Sequence, residues 1–283
     1  MISFIGAGKV GSALGLYFKQ KGFKISGYYS RNYIHALNAC QLTDSKPFKT
    51  IPELLKESSM VWITVSDDAI ELLGKKISEM YIPPYIEAFI HTSGVHSLEA
   101  LLPLCKKGFR TYSAHPLMAF GNPQESIERL NEVYFTLDTI NKELSENKQD
   151  DYMVNFFEKT GNNVLTINTE KKELYHCAAT ILSNYLVTLL NMSYEMFEKS
   201  GMDKSVIKEA TAPLLNSTLK NIVESDKMKN ALTGPIKRGD KTTVIKHLKV
   251  LQQIIPIKST LYKELGKETM NMTQDYRLKD ILD

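Results

Sequence analysis

Gly6-Ala7-Gly8-Lys9-Val10-Gly11 has the G-x-G-x-x-G spacing of a loop that cradles phosphates. Alone, such spacing is common. Here it follows the apolar run Ile2–Ile5 and opens a helical pattern over Ser12–Lys21, with Ala13, Leu14, Tyr17 and Phe18 on one side. In that setting Gly6 makes the tight turn, Gly8 lets backbone approach a diphosphate, and Gly11 lets helix and strand pack closely. The diphosphate sits on the free N–H groups of the helix start, where the helix dipole favours anions. The other reading is a glycine-rich turn with no ligand.

The second strand ends in Tyr29-Ser30-Arg31-Asn32. A site for unphosphorylated NAD wants a carboxylate there to take the ribose 2′-hydroxyl. Residues 1–43 hold five basic side chains and no acidic one. Arg31 can pair with a 2′-phosphate through a bidentate fork, with Ser30 and Asn32 adding donors. The pattern predicts NADP(H); the alternative for Arg31 is a solvated loop residue. Val65-Ser66 and Thr92-Ser93-Gly94 follow further predicted strands. In open α/β sheets ligands lie beyond the carboxyl ends of strands, so these residues are expected along the same cofactor.

His115, in Ser113-Ala114-His115-Pro116, also stands past a strand end. An imidazole can take or give the proton that accompanies hydride transfer, and a hydroxyl such as Ser93 can orient it. A structural histidine is the other possibility. His176, Thr180, Ser183, Asn184 and Asn191 form a strip of uncharged polar groups, with Lys172 one turn before His176. A solvated face would carry Lys and Glu, so the strip reads either as the wall of a polar pocket or as satisfied core. His176, Asn184 and Lys172 are the candidates for holding substrate. His91, His96 and His115 lack metal-ligand spacing, so no metal is expected.

These residues need a frame that alternates strand and helix. Strands are predicted at Ile2–Ile5, Lys24–Tyr29, Val61–Val65, Ala88–His91, Thr111–Ala114, Val133–Leu137 and Val164–Ile167, with helices at Ala69–Met80 and Leu98–Leu104. This is the signature of a mainly parallel sheet. Asp138–Asp151 is polar and reads as a surface loop. Beyond residue 168 only helices are predicted: Glu170–Lys199, Lys204–Glu224, Thr242–Gln253 and Ile257–Thr269. Leu174, Ala178, Leu182, Leu186 and Leu190, beside Cys177, Ile181, Tyr185 and Leu189, make a wide apolar face, so the first of these is expected to be buried. The expected division is 1–167 and 168–283.

Composition excludes other classes. With 35 Lys+Arg against 32 Asp+Glu and 43% hydrophobic residues, the chain is neither disordered nor a typical nucleic-acid binder. Cys40, Cys105 and Cys177 build no disulfide framework or zinc site, so a cytoplasmic setting is the default. The N-terminus lacks signal-peptide features, and polar groups within 174–194 argue against a membrane span. Asp240 is a plausible N-cap, and Lys237 and Arg238 read as surface charge or as anion binders.

Taken in order, several motifs carry a resemblance. They are the glycine loop, Tyr29-Ser30-Arg31, Val65-Ser66-Asp67-Asp68-Ala69-Ile70, His91-Thr92-Ser93-Gly94, Ala114-His115-Pro116-Leu117-Met118-Ala119-Phe120, Tyr175-His176-Cys177-Ala178-Ala179 with Ser183-Asn184-Tyr185, and Leu232-Thr233-Gly234-Pro235-Ile236-Lys237-Arg238-Gly239-Asp240. The chain resembles the bacterial Rossmann-like NADP oxidoreductases with a C-terminal domain of unknown function. These are similar to pyrroline-5-carboxylate reductases, prephenate dehydrogenases and β-hydroxyacid dehydrogenases. The resemblance implies an α/β Rossmann domain, an all-α C-terminal domain of the 6-phosphogluconate-dehydrogenase type, and a homodimer built through the helices. His115 resembles the His-Pro histidine of prephenate dehydrogenases, with Ser93 in support. Lys172 and His176 resemble the Lys-x-x-x-Asn pair of β-hydroxyacid dehydrogenases, with His in place of Asn.

The expectation is therefore an NADP(H)-dependent oxidoreductase for a small polar, carboxylate-bearing substrate, with no nucleic-acid or membrane partner. An NADP(H)-binding sensor without turnover and a deazaflavin-dependent NADP reductase are the alternatives.

Overall fold

The computed structural model describes residues 1–139 and 150–283, which form two compact units, Met1–Leu189 and Leu190–Asp283. The first unit is built on eight strands: β1 (Ile2–Ile5), β2 (Ile25–Tyr29), β3 (Lys46–Phe48), β4 (Met60–Ile63), β5 (Ala88–His91), β6 (Arg110–Pro116), β7 (Phe135–Thr139) and β8 (Val164–Asn168). Their order in the sheet is β3-β2-β1-β4-β5-β6-β7-β8. All neighbours are parallel except β6 and β7, where His115 faces Thr136 across an antiparallel step. The central strands β1, β4 and β5 are buried along their whole length, as expected where helices cover both sheet faces.

Helices α1 (Lys9–Gln20), α2 (Tyr33–Thr43), α3 (Ile51–Leu55), α4 (Ile70–Ser78), α5 (Leu102–Cys105), α6 (Pro123–Leu130) and α7 (Asp150–Thr160) surround the sheet. Phe4, Phe18, Tyr28, Trp62, Phe156 and Phe157 form an aromatic core on one face. Ile5, Val61, Ile63, Phe89 and Leu101 pack on the other. The strand series agrees with the sequence expectation except at β3, which went unseen. The expected loop at Asp138–Asp151 is different: Asp138 is a buried residue of β7, and residues 140–149 lie outside the described part.

The expected single helix over 170–199 is a helical run interrupted by one wide turn. It comprises α8 (Lys172–Thr180), a π-helical turn at Ile181–Tyr185 and α9 (Leu186–Lys199). Its burial departs from expectation. Leu174 is 68% exposed, Leu182 74% and Val187 67%, while the one buried residue of α8 is charged, Lys172. Among the described residues this apolar face is left largely exposed. The two compact units divide inside α9, and α8 is tied to the sheet through Lys172.

The second unit holds α10 (Lys204–Glu224), α11 (Met228–Ala231), α12 (Gly234–Arg238), α13 (Lys241–Ile254), α14 (Pro256–Thr273) and α15 (Lys279–Leu282). Val244, Met270, Leu278 and Leu282 make its core. Asp240 caps α13 as expected, accepting from Thr243 N at 3.0 Å. Among the described residues no helix is long and apolar enough to cross a membrane.

Candidate functional site

The glycine loop connects β1 to α1, and its glycines meet different surroundings. Gly6 sits at φ +112°, and a Cβ there would lie 2.5 Å from Thr64 O. A Cβ on Gly11 would lie 2.4 Å from Thr64 Oγ1 and 2.5 Å from Gly6 O. Thr64 Oγ1 donates to Gly6 O at 2.8 Å, so this threonine past β4 clamps the loop onto the helix start. Gly8 differs: a Cβ there would meet no protein atom within 4 Å, and its φ of −83° is open to any residue. The protein needs no glycine at position 8 for its own packing. The bare backbone faces open space beside the unpaired N–H groups of the first turn of α1, which carries no acidic residue. That space fits a diphosphate.

A cleft of about 420 Å³ continues from the loop. Of the residues expected at the cofactor, Gly6, Ala7, Gly8, Ser30, Arg31, Val65 and Ser66 line it. Leu72, Leu73 and Lys76 of α4 line it too and were not foreseen. Arg31 is exposed, with no ion pair among the described residues. Asn32 is occupied otherwise: its Oδ1 caps α2 by accepting from Ile34 N at 3.0 Å. Lys9, Val10 and Gly11 belong to the first turn of α1, where backbone rather than side chain is offered.

A second cluster forms past the ends of β5 and β6. His115 Nδ1 lies 2.7 Å from the Tyr175 hydroxyl, and the rings meet edge to face. Its Nε2 is turned to Gly94, 3.0 Å from where a Cβ on Gly94 would stand, and His176 Cδ2 would be 2.5 Å from that same point. Gly94 is therefore glycine because two imidazoles, 6.3 Å apart between ring centres, crowd its Cα. Burial pushes the His115 imidazole down to about 4; Lys172 and then His176 add to this, and Asp67 opposes it. The ring is neutral at neutral pH.

Ser93 shapes the turn that presents Gly94. Its Oγ accepts from Val95 N at 3.2 Å and His96 N at 3.0 Å. The hydroxyl that meets His115 Nδ1 belongs to Tyr175, which stands in one of the sequence motifs but was not among the expected site residues. Thr92, half-buried, opens the same turn. His91 is fully buried: Nδ1 accepts from Ser93 N at 3.2 Å, and Nε2 donates to Ser97 O at 2.9 Å. Both nitrogens are spent on shaping the turn, and burial, followed by Lys172, pushes this imidazole down to about 3. Among the described residues no three His, Cys, Asp or Glu side chains are grouped as metal ligands.

Lys172, expected beside the substrate, is instead occupied within the protein. Its ammonium is buried and donates to Asp138 Oδ1 at 2.6 Å and to Ser113 Oγ. Asp138 Oδ2 accepts from Leu98 N at 3.1 Å. This cluster ties α8, β6, β7 and the segment after β5 at one point. It fixes Ser113, two residues before His115, against Lys172, three residues before Tyr175. Asn184 is exposed in the π turn, two helical turns beyond His176, with its Oδ1 3.5 Å from Ser183 Oγ. In the second unit, Lys237 Nζ donates to Leu232 O at 2.6 Å, so its charge serves local backbone, while Arg238 is exposed.

Comparison with known proteins assigns both parts. Residues 1–116 match the Rossmann-like domain, and residues 139–269 match a domain of unknown function, DUF2520. The chain joins a Rossmann-like domain to a DUF2520 domain. His115 lies at the end of the first of these matches, and Lys172, Tyr175 and His176 come from the second. Protein TM1727 from Thermotoga maritima is 23% identical, with a TM-score of 0.70 over 98% of this chain and 100% of that one. The protein described as "putative NADP oxidoreductase BF3122" from Bacteroides fragilis is 21% identical, with a TM-score of 0.73 over 95% of this chain and 96% of that one. Pyrroline carboxylate reductase from Plasmodium falciparum, solved with NADP bound, is 16% identical, with a TM-score of 0.59 over 98% of this chain and 95% of that one. These likenesses establish the fold. No curated protein matches the sequence.

Proposed function

We propose that the protein is an NADP(H)-dependent oxidoreductase acting on a small polar, carboxylate-bearing substrate. The observation that carries this reading is the open space at Gly8, beside a cleft lined by Ser30 and Arg31. The loop and first turn of α1 would hold the diphosphate, and Ser30 and Arg31 the 2′-phosphate. Val65 and Ser66 line the cleft towards β4, and Thr92-Ser93-Gly94 would approach the nicotinamide. Structural relatives that carry NADP or NADPH, the Plasmodium falciparum reductase and a reductive aminase from Aspergillus terreus, support the choice of cofactor class.

Oxidation of an alcohol or amine carbon releases a hydride and a proton. The nicotinamide supplies the hydride chemistry. His115 takes the proton at Nε2, because Nδ1 is engaged by Tyr175 and the neutral ring has a lone pair to offer. The ring's lowered proton affinity suits a group that charges only once an anionic substrate lies beside it. His176 borders the same point and holds substrate; Asn184 extends that wall along the π turn.

The uncovered apolar residues of α8 and the π turn, Leu174, Ala178 and Leu182, support a homodimer through the helices. A monomer in solution scattering would refute that part.

The deciding experiment titrates wild type and Arg31→Ala with NADPH and NADH, then reads absorbance across a panel of keto acids, imines and deazaflavins. NADPH affinity falls at least ~10-fold in the variant while NADH affinity barely moves, since one charge-assisted pair carries about 1.5–3 kcal/mol. Equal losses would sink the NADP assignment. Binding without oxidation across the panel would favour a sensor.

A further inference from the structure

Helix α4 forms one wall of the cofactor cleft, and its residues divide by helical spacing. Leu72, Leu73 and Lys76 line the cleft, with Leu72 and Lys76 one turn apart. Glu71 and Lys75, also one turn apart, stand on the neighbouring strip and do not line it. Glu71 Oε1 instead lies 3.8 Å from His96 Nδ1. Among the described residues that line the cleft, Arg31 and Lys76 are basic and none is acidic. Both cations are exposed, and neither pairs with a carboxylate among the described residues. Leu72 is 72% exposed, so the protein's own packing hardly uses it.

A phosphate monoester at neutral pH carries about −1.5 to −2 charges on three terminal oxygens. The Arg31 fork can take two of those oxygens and balance one charge. One oxygen and part of the charge are left over, in a cleft whose remaining cation is Lys76. An ammonium on a flexible four-carbon stem meets that remainder as a point charge. The base beside the phosphate needs apolar surface, and Leu72 offers it one turn back on the same side of the helix. We propose that Lys76 is a second specificity-determining cation for the 2′-phosphate, shared with Arg31, and that Leu72 on the same face of α4 covers the adenine. This role rests on the cleft being an NADP(H) site. The helix dipole is another reason for cations in the last turn of α4, but it acts on Lys75 as well as on Lys76. Only Lys76 lines the cleft, so the two lysines separate the explanations.

Fluorescence titrations with NADPH and NADH test this on wild type, Lys76→Gln, Lys76→Arg, Lys75→Gln, Leu72→Asn and Arg31→Ala. Lys76→Gln lowers NADPH affinity at least ~5-fold and leaves NADH affinity unchanged. Lys76→Arg keeps NADPH binding near wild type, and Lys75→Gln changes neither affinity. Leu72→Asn weakens both dinucleotides alike, by at least ~3-fold, because the base is common to them. All four positions are exposed, and unchanged urea midpoints check that the variants fold. A Lys76→Gln variant that behaves like Lys75→Gln, or that loses NADH as much as NADPH, overturns the role of Lys76. A Leu72→Asn variant that binds both as wild type does overturns the adenine wall. If Arg31→Ala loses NADPH selectively while Lys76→Gln loses nothing, the NADP(H) reading stands and the role of Lys76 falls. If Lys76→Gln alone is selective, Lys76 stands and Arg31 falls. A wild type without preference for NADPH removes both.

Discussion

Lys172 and Asp138 offer the sharpest energetic test. Their side chains are 1% and 0% exposed, and the ammonium–carboxylate distance is 2.6 Å. Burial acts against both charges, raising the Asp138 carboxyl and lowering the Lys172 ammonium, with each partner opposing the shift in the other. Asp138→Leu leaves a buried ammonium with only Ser113, and Lys172→Met leaves a buried carboxylate with only Leu98 N. Each single change should cost about 3–5 kcal/mol. The double variant buries no charge and forfeits only the partners of Leu98 N and Ser113 Oγ, at about 1–3 kcal/mol for each group left unsatisfied. At the centres of these ranges the cycle closes with a coupling of about 4 kcal/mol, the double variant being about as stable as either single one rather than as unstable as their sum. Urea unfolding followed by Trp62 fluorescence reads this directly, because the chain has one tryptophan and it is fully buried in the core of the first unit. Single variants within about 1 kcal/mol of wild type, or a double variant as unstable as the sum, would refute a fully desolvated pair.

Two glycines of one loop should separate binding from folding. Gly8→Val leaves the urea midpoint unchanged, since a side chain there meets no protein atom, yet reduces dinucleotide affinity by at least ~10-fold in a fluorescence titration. Gly11→Ala instead loses about 1–3 kcal/mol of stability, because its Cβ would stand 2.4 Å from Thr64 Oγ1. If both variants behave alike, the loop is only a structural turn. Acid should weaken the first unit early. His91 and His115 are pushed down to about 3 and about 4 in the folded protein, so the unfolded chain takes up their protons first. Stability is then level above about pH 6.5 and falls as pH drops toward 4, by up to about 3 kcal/mol per pH unit for two such groups. Urea midpoints that stay flat between about pH 7 and 5 would show that these imidazoles charge freely in the folded state.

What the sequence disclosed depended on whether a residue's role was set by its near neighbours. The glycine loop was legible because its turn, its helix start and its strand lie within one continuous stretch, and β1, β2, β4 and β5 announced themselves as short apolar runs. Strand β3 did not, since Lys46-Pro47-Phe48 has too few residues to show any alternation and contains proline. Asp138 was read as surface because polar residues follow it, and Lys172 as a substrate ligand because a polar strip does. Each reading was locally reasonable, and both missed the same feature: the two charges neutralise one another across 34 positions of chain. A buried ion pair inverts the rule that charge marks solvent, and neither partner alone betrays it. The same long-range contact explains why α8 stays with the sheet unit. It also bears on Tyr175, whose hydroxyl partner lies far away in sequence. Only when Lys172 fixes α8 beside β6 does that hydroxyl come within 2.7 Å of His115, 60 positions away.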